Sequence, residues 1–325
     1  IGHYIDGSIS LAETGRSIRE MVLKAKWPDN VAADIVDYYR ELSKLAGRDN
    51  VDVAVRSSAT AEDLPDASFA GQQETYLNVG GEKELLAACK KCYASLFTDR
   101  AISYRQVKGF DHMKVALSIG VQQMIRSDKG GSGVMFSIDT ETGFDKVVVI
   151  NAAWGLGENV VQGAVDPDEY VVFKPLLENP KLSPIVEKLL GAKSIKMIYS
   201  EGAEKVRNVP TSKQERAAFV LSDEEILTLG RWAVTIENHY GLPMDMEWAK
   251  DGEDGDLFIV QARPETVQAR RDQTMFKSYT IKSKGDILTK GLSIGASVIT
   301  GKVCLIDSPA DIDKFVDGAI LVTGT

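Results

Sequence analysis

Residues 53–79 read VAVRSSATAEDLPDASFAGQQETYLNV: an apolar strand that delivers Arg56 into a long run of Ser, Thr, Gly and acidic residues. A buried structural loop is seldom this polar, because each backbone and hydroxyl group would need its own partner inside. The run suits a loop that wraps a phosphorylated ligand and takes its hydrogen bonds from it. The segment is therefore expected to form the lid and phosphate anchor of a nucleotide site.

Composition narrows the class around that expectation. The 325 residues are 44% hydrophobic and 26% charged, ordinary values for a globular protein. That length predicts two domains, or one large domain followed by part of another. A net charge of −9 argues against nonspecific nucleic-acid binding, which needs a basic stripe to displace counterions. ATP remains compatible with an acidic chain, since a few arginines and a divalent cation focus positive charge locally. No apolar run approaches ~18 residues, so no membrane span is expected. Three cysteines cannot build a secreted disulfide framework and no signal peptide opens the chain, so the cytoplasm is the expected compartment. The chain opens on Ile1 and closes on ILVTGT, just past an apolar strand-like run, and both ends read as truncated.

Periodicity gives a mixed order of elements. Residues 8–46 are helical in pattern, with Ile18, Met21, Val22 and Ala25 on one face and Ile35, Tyr38, Tyr39 and Leu42 on another. Apolar and β-branched clusters predict strands near 51–57, 113–126, 133–138, 146–151, 170–174, 244–249 and 257–263. Helical spacing returns at 82–97 and 222–240. In the second of these, Ser222 and Glu225 form a capping box, Ile226, Leu229, Ala233 and Ile236 make the stripe, and Gly241 and Pro243 end it. Without regular βαβ alternation, α+β layering is expected rather than a doubly wound sheet. Residues 268–280 are polar and read as a linker, and short strands at 297–306 and 319–322 read as the opening of a further domain. The pattern is irregular at 200–215 and 290–300.

The second informative stretch is PMDMEWAKDGEDGDLFIVQARPET, residues 243–266. Asp245 and Glu247 alternate with Met244, Met246 and Trp248, so the two carboxylates share one strand face. KDGEDGD is a hairpin signal. Closure about residue 254 sets Glu247 opposite Gln261 and Asp245 opposite Arg263. Two carboxylates, an amide and a guanidinium then share a face. Hard oxygen donors suit Mg²⁺, and a fixed guanidinium beside it suits a phosphoryl group in transfer. A solvated strand face with two cross-strand polar pairs fits the same pattern.

Three further features carry less. Gly130, Gly131 and Gly133 lie between two strands, where bare N–H groups cradle phosphate or simply make a turn. No Gly-Lys-Ser/Thr follows, so this is not a Walker A loop. Gly155, Gly157, Glu158 and Gly163 follow the VVVIN strand, reading equally as an anion-facing helix start or as tight backbone packing. Cys89 and Cys92 fall on a helical stripe with Leu85 and Leu96 and are expected to be small core residues rather than metal ligands. His3, His112 and His239 have no catalytic setting.

Residues 53–79, the SGVMFS turn, WGLGENVVQGAV, and PMDMEWA with LFIVQARPET together resemble the ATP-binding part of the phosphoenolpyruvate synthase (pyruvate, water dikinase) family of PEP-utilising enzymes. Order and spacing match across roughly residues 50–267. The resemblance implies an ATP-grasp-like domain of two α+β lobes over residues 1–270. A linker and the truncated start of a swivelling phosphohistidine domain would occupy 271–325. It implies ATP as substrate, Mg²⁺ as cofactor, a phosphohistidine on the swivelling domain and a pyruvate-binding barrel on the same parent protein, in a homo-oligomer. By motif position, Arg56 belongs on the ATP phosphates, Gly71 and Thr75 in the lid, and Gln122 near the adenine. Glu247 and Gln261 belong on Mg²⁺ and the phosphates, and Arg263 on the transferring phosphoryl group. Asp245, Gly131 and Gly133 are further expected contacts.

The family's N-terminal G-G-K-N segment and its T-S-H-A-A or T-C-H-A-A histidine motif do not occur here. Two enzyme relatives, a rifampicin-type antibiotic phosphotransferase and pyruvate, phosphate dikinase, remain alternatives at this stage. So does a noncatalytic adenine-nucleotide sensor.

Overall fold

The computed structural model describes residues 2–5, 7–60, 63–64, 67–68, 75–179, 181–200, 205–265, 298–306 and 314–323. The expected linker at 268–280 lies outside them, as do Gly71 and most of the polar run after Ala59. The helical region resolves into α1 (Gly2–Ile5), α2 (Leu11–Lys24) and α3 (Asp29–Leu45). Ser10 starts α2 by accepting the Glu13 N–H. The break before α3 falls at Trp27–Pro28, where the residue ahead of a proline is pushed out of helical geometry.

Next come β1 (Val53–Ala59), the two-residue strands β2 (Asp63–Leu64) and β3 (Ala67–Ser68), then β4 (Tyr76–Val79). They are followed by α4 (Glu82–Ser95), α5 (Asp99–Lys108) and β5 (Leu117–Gln123). Strands β4, β1 and β5 form an antiparallel sheet in that order. Val53, Val55, Leu85, Cys89, Cys92 and Leu117 are buried together beneath it. Both cysteines of α4 are core residues as expected, and burial lifts the Cys89 thiol to about 11. Three members of the expected helical stripes face solvent instead: Ala25, Met21, which is 63% exposed, and Tyr38, which is 73% exposed. Tyr39 turns inward and its hydroxyl donates to the Val51 carbonyl.

The larger unit contains β6 (Gly131–Phe136), β7 (Val147–Trp154), α6 (Glu158–Val161), β8 (Asp168–Phe173) and β9 (Ile185–Leu189). It continues with β10 (Ile195–Tyr199), β11 (Val206–Pro210), α7 (Lys213–Ala217), α8 (Asp223–Tyr240), β12 (Met244–Lys250) and β13 (Leu257–Pro264). Six strands run antiparallel in the order β13-β12-β6-β7-β8-β9. Helix α8 covers the sheet through Ile226, Leu229 and Ala233, all fully buried with Met135, Tyr170 and Trp248. Its capping box at Ser222 and Glu225 is present and it ends at Gly241. The irregular stretch at 200–215 contains part of the β10–β11 hairpin.

Lys193 and Asp168 bury completely as an ion pair, with the Tyr170 hydroxyl and the Gly191 and Val220 N–H groups donating to the same carboxylate. Beyond these units, β14 (Val303–Leu305) and β15 (Ile320–Val322) pair in parallel, shorter than the expected run at 297–306. The fold is a mixture of helices with several antiparallel sheets, and among the described helices none is long and apolar enough to cross a membrane.

Candidate functional site

The two main sheets meet along a cleft of about 470 Å³. Strands β1 and β5 bring Arg56 and Gln122 to one wall, β4 is preceded there by Thr75, and β6 and β12 bring Gly133 and Glu247 to the other. Five of the expected site residues thus line a single space, drawn from segments up to 191 residues apart in sequence.

The hairpin β12–β13 sets the chemistry of that wall. Its register places Asp245 opposite Arg263 and Glu247 opposite Gln261, as the alternation predicts. One rung further the ladder slips, because Trp248 faces Ile259 and leaves Val260 as an extra residue. This is a β-bulge, the insertion that bends a strand and re-aims its groups. The Val260 carbonyl accepts hydrogen bonds from Arg56 Nη1 and from Gln122 Nε2, each at 3.2 Å.

Arg56 is the centre of the site. Its Nη2 lies 3.3 Å from Glu247 Oε2 and also donates to Gln261 Oε1. One guanidinium from the first sheet therefore bridges a carboxylate, an amide oxygen and a main-chain carbonyl of the second. Charge-assisted contacts of this kind are the stronger class of hydrogen bond. Arg263 stands on the same hairpin face but outside the cleft wall. Its Nε and Nη2 lie 2.8 and 2.7 Å from Asp245 Oδ2, which fixes the direction of the guanidinium.

The glycines divide between packing and the cleft. Gly131 and Gly133 sit inside β6 rather than in a turn, so the strand starts two residues before its expected position. A Cβ at Gly133 would collide with the Asn151 carbonyl of β7, so close strand approach requires glycine there. Gly131 points at Val220 and the Ala153 carbonyl, away from the cleft wall. Gly155, at φ 87°, packs on the Met197 backbone, and the Leu156 N–H donates to the Met197 carbonyl. Packing accounts for Gly155, while Gly157 and Glu158 open onto the cleft.

In the segment after β5, sequence reasoning took up the glycines and passed over Arg126, Ser127 and Asp128. Ser127 lines the cleft, and Arg126 beside it makes a paired contact with Asp128 at 2.8 and 2.9 Å and stacks on Tyr199. The hydrogen bond to Asp128 holds the Arg126 guanidinium more firmly protonated than usual, and burial raises the Tyr199 hydroxyl. Glu253, at the hairpin tip, takes Arg48, Lys129 and Arg126 at 2.5, 2.7 and 3.5 Å. Arg48 follows α3, so this cluster is a second tie between the two units. Nothing in the local pattern of a KDGEDGD turn announces three cationic partners from elsewhere in the chain.

Comparison with known proteins bears on the family of the chain. The family described as pyruvate phosphate dikinase, AMP/ATP-binding domain, matches residues 4–283. The chain is similar to the phosphoenolpyruvate synthase of Synechocystis sp., 53% identical over 98% of this chain and 40% of that protein. It is also similar to those of Aquifex aeolicus, 53% identical over 96% of this chain and 38% of the relative, and Escherichia coli, 50% identical over 98% and 40%. The chain thus spans about 40% of the length of these curated relatives. Residues 4–283 cover both sheets and the cleft between them, and the chain belongs to the pyruvate phosphate dikinase AMP/ATP-binding domain family.

Proposed function

We propose that this chain is the ATP-binding and phosphoryl-donating part of a phosphoenolpyruvate synthase. The overall reaction converts ATP, pyruvate and water to AMP, phosphoenolpyruvate and phosphate through a phosphohistidine outside this chain. The observation that carries the reading is the convergence of Arg56, Glu247 and Gln261 between two sheets, in a family described by AMP/ATP binding. Relatives named phosphoenolpyruvate synthase, at about half identity across nearly the whole chain, favour this enzyme over its phosphotransferase alternatives. In this reading residues 1–270 form an ATP-grasp-like domain whose two lobes are the two sheet units, and 271–325 begin the swivelling domain. That domain and a pyruvate-binding barrel are the proposed partners within the parent protein, and the cytoplasm its compartment.

Glu247 and Gln261 fit a divalent cation. They offer two hard oxygens on adjacent strands, both already in contact with a guanidinium charge. Among the described residues no group of three or more His, Cys, Asp or Glu gathers. A shared site completed by phosphate oxygens suits Mg²⁺, which uses one or two protein ligands with substrate phosphates. When bound, Mg²⁺ neutralises phosphate charge and stabilises the charge that develops during transfer. Arg56 binds phosphate oxygens from the β1 side and Gln122 orients the base from β5. Thr75 covers the ligand from the cleft edge, and Gly71, outside the described residues, is assigned to the same lid by its motif position. Arg263, held by Asp245, faces the phosphoryl group as it leaves, and the N–H groups near Gly133 line the path.

The test supplies the protein bearing this chain with Mg²⁺-ATP, with and without pyruvate, and identifies the products. Pyruvate-dependent AMP with phosphoenolpyruvate and free phosphate is expected. AMP formed without regard to pyruvate, but in response to another acceptor, would overturn the substrate and leave the ATP site standing. Nucleotide binding with no turnover would favour a sensor.

A further inference from the structure

Arg56 and a divalent cation compete for the same two oxygens. The guanidinium contacts Glu247 Oε2 and Gln261 Oε1 and is anchored by the Val260 carbonyl. Mg²⁺ on those oxygens would sit roughly 2.0–2.1 Å from each. A guanidinium and a divalent cation on the same pair of oxygens would stand a few ångströms apart, and like charges at that separation repel in a partly buried cleft. Arg56 and Glu247 side chains are 26% and 25% exposed, so solvent screens this repulsion incompletely.

We propose that Arg56 gates the metal site, so that a divalent cation reaches Glu247 and Gln261 only when a triphosphate draws the guanidinium away. This rests on the Mg²⁺ reading of that pair. The triphosphate supplies oxygens that replace those Arg56 gives up, and the metal binds the same phosphates. Each ligand therefore strengthens the other, by equal factors as linkage requires. The exchange also acts on the contact between the sheets. All three Arg56 acceptors lie on β12 and β13 while Arg56 lies on β1, so freeing it removes three bonds that join the units. Gln122 can keep its bond to Val260, and the Arg48–Glu253 pair does not involve Arg56, so the units stay joined while the guanidinium moves.

The probe is Mn²⁺, whose free fraction is read by electron paramagnetic resonance, titrated into the protein bearing this chain with no nucleotide present. Wild type is expected to bind it weakly. Arg56→Gln, which removes the competing charge, is expected to tighten nucleotide-free binding about tenfold or more. Working without nucleotide separates this effect from any loss of phosphate contact. A non-hydrolysable ATP analogue should then tighten Mn²⁺ binding by wild type more than by the variant. Arg56→Lys keeps a charge but cannot span three acceptors, so its affinity should fall between the two and guards against misfolding of Arg56→Gln. Equal nucleotide-free affinity in wild type and both variants would overturn the gate while leaving the metal pair intact. No Mn²⁺ binding in any protein, with or without the analogue, would overturn the metal pair and the gate with it.

Discussion

Two rungs on one face of the β12–β13 ladder, separated by the Met246–Ala262 pair, carry the same ingredients and use them differently. At one, Asp245 holds Arg263 from directly across the hairpin. At the other, Glu247 and Gln261 are reached by Arg56 from another sheet. The local pair is closed within one supersecondary unit, so it orients a guanidinium whatever the second sheet does. The second rung exists only when both sheets are in place, and its guanidinium can trade acceptors. An arginine held by its own hairpin is suited to act on transition-state charge. One that joins two sheets is suited to binding and to change on binding.

Four measurements bear on that contrast. The largest effect is expected from Arg263→Ala, which should slow phosphoryl transfer by about 10²–10³-fold, the size seen when one donor to developing charge is lost. Nucleotide affinity should change little, and matched losses in both would erase the distinction between the rungs. Glu247→Gln should weaken Mg²⁺-dependent nucleotide binding by about 10–100-fold. Titrations with and without Mg²⁺ that are indifferent to the change would remove Glu247 from the metal site.

Ser222→Ala removes the capping box of α8, on the covered face of the same sheet, and should cost about 1 kcal/mol of stability. Metal and nucleotide affinities should hold after correction for unfolded protein; if they fall, the rungs answer to global stability rather than to their own partners.

The smallest effect belongs to the first unit alone. Burial, then the Arg105 charge, holds His112 below the usual imidazole range, where its Nδ1 accepts from Arg105 Nε at 3.0 Å. The folded state therefore takes up this proton less readily than the unfolded one. The contribution is intact above the ordinary value of 6.5 and is lost as pH falls below it. Melting temperature should drop further between neutral pH and about pH 5.5 in wild type than in His112→Gln. Parallel drops would mean the ring contributes nothing.

Much of this was legible in residue order. Alternation in MDMEWA and QARP set the faces of β12 and of β13 beyond the bulge, while the bulge turned Ile259 to the core face against the alternation; the Ser222–Glu225 spacing set the start of α8, because it depends on neighbours within a few residues. Arg56 could be singled out by its position after an apolar strand. Glu247 and Gln261 stood out in their own hairpin, but their contact with Arg56, and that of Val260, could not be read across 191 to 205 residues. Lys193 reads as an ordinary loop charge, yet it is fully buried against Asp168, a pairing that only the folded topology makes. Strands β10 and β11 lacked a strong signal because they form a two-stranded hairpin, in which only Met197 is buried. The linker at 268–280 was read from composition and falls outside the described residues.

The slip after Glu247 has an evolutionary corollary. The acceptor that Arg56 and Gln122 share is a peptide carbonyl, supplied by the unpaired residue of the bulge. Any amino acid at position 260 carries that oxygen, so substitutions there can drift without unfastening one sheet from the other. Chain length is what the joint cannot forgive. Deleting Val260 would restore an even ladder, turn its carbonyls back into the sheet and leave two donors of the opposite unit with nothing to hold. Across homologous chains, this spot should accept many residue types and no gaps.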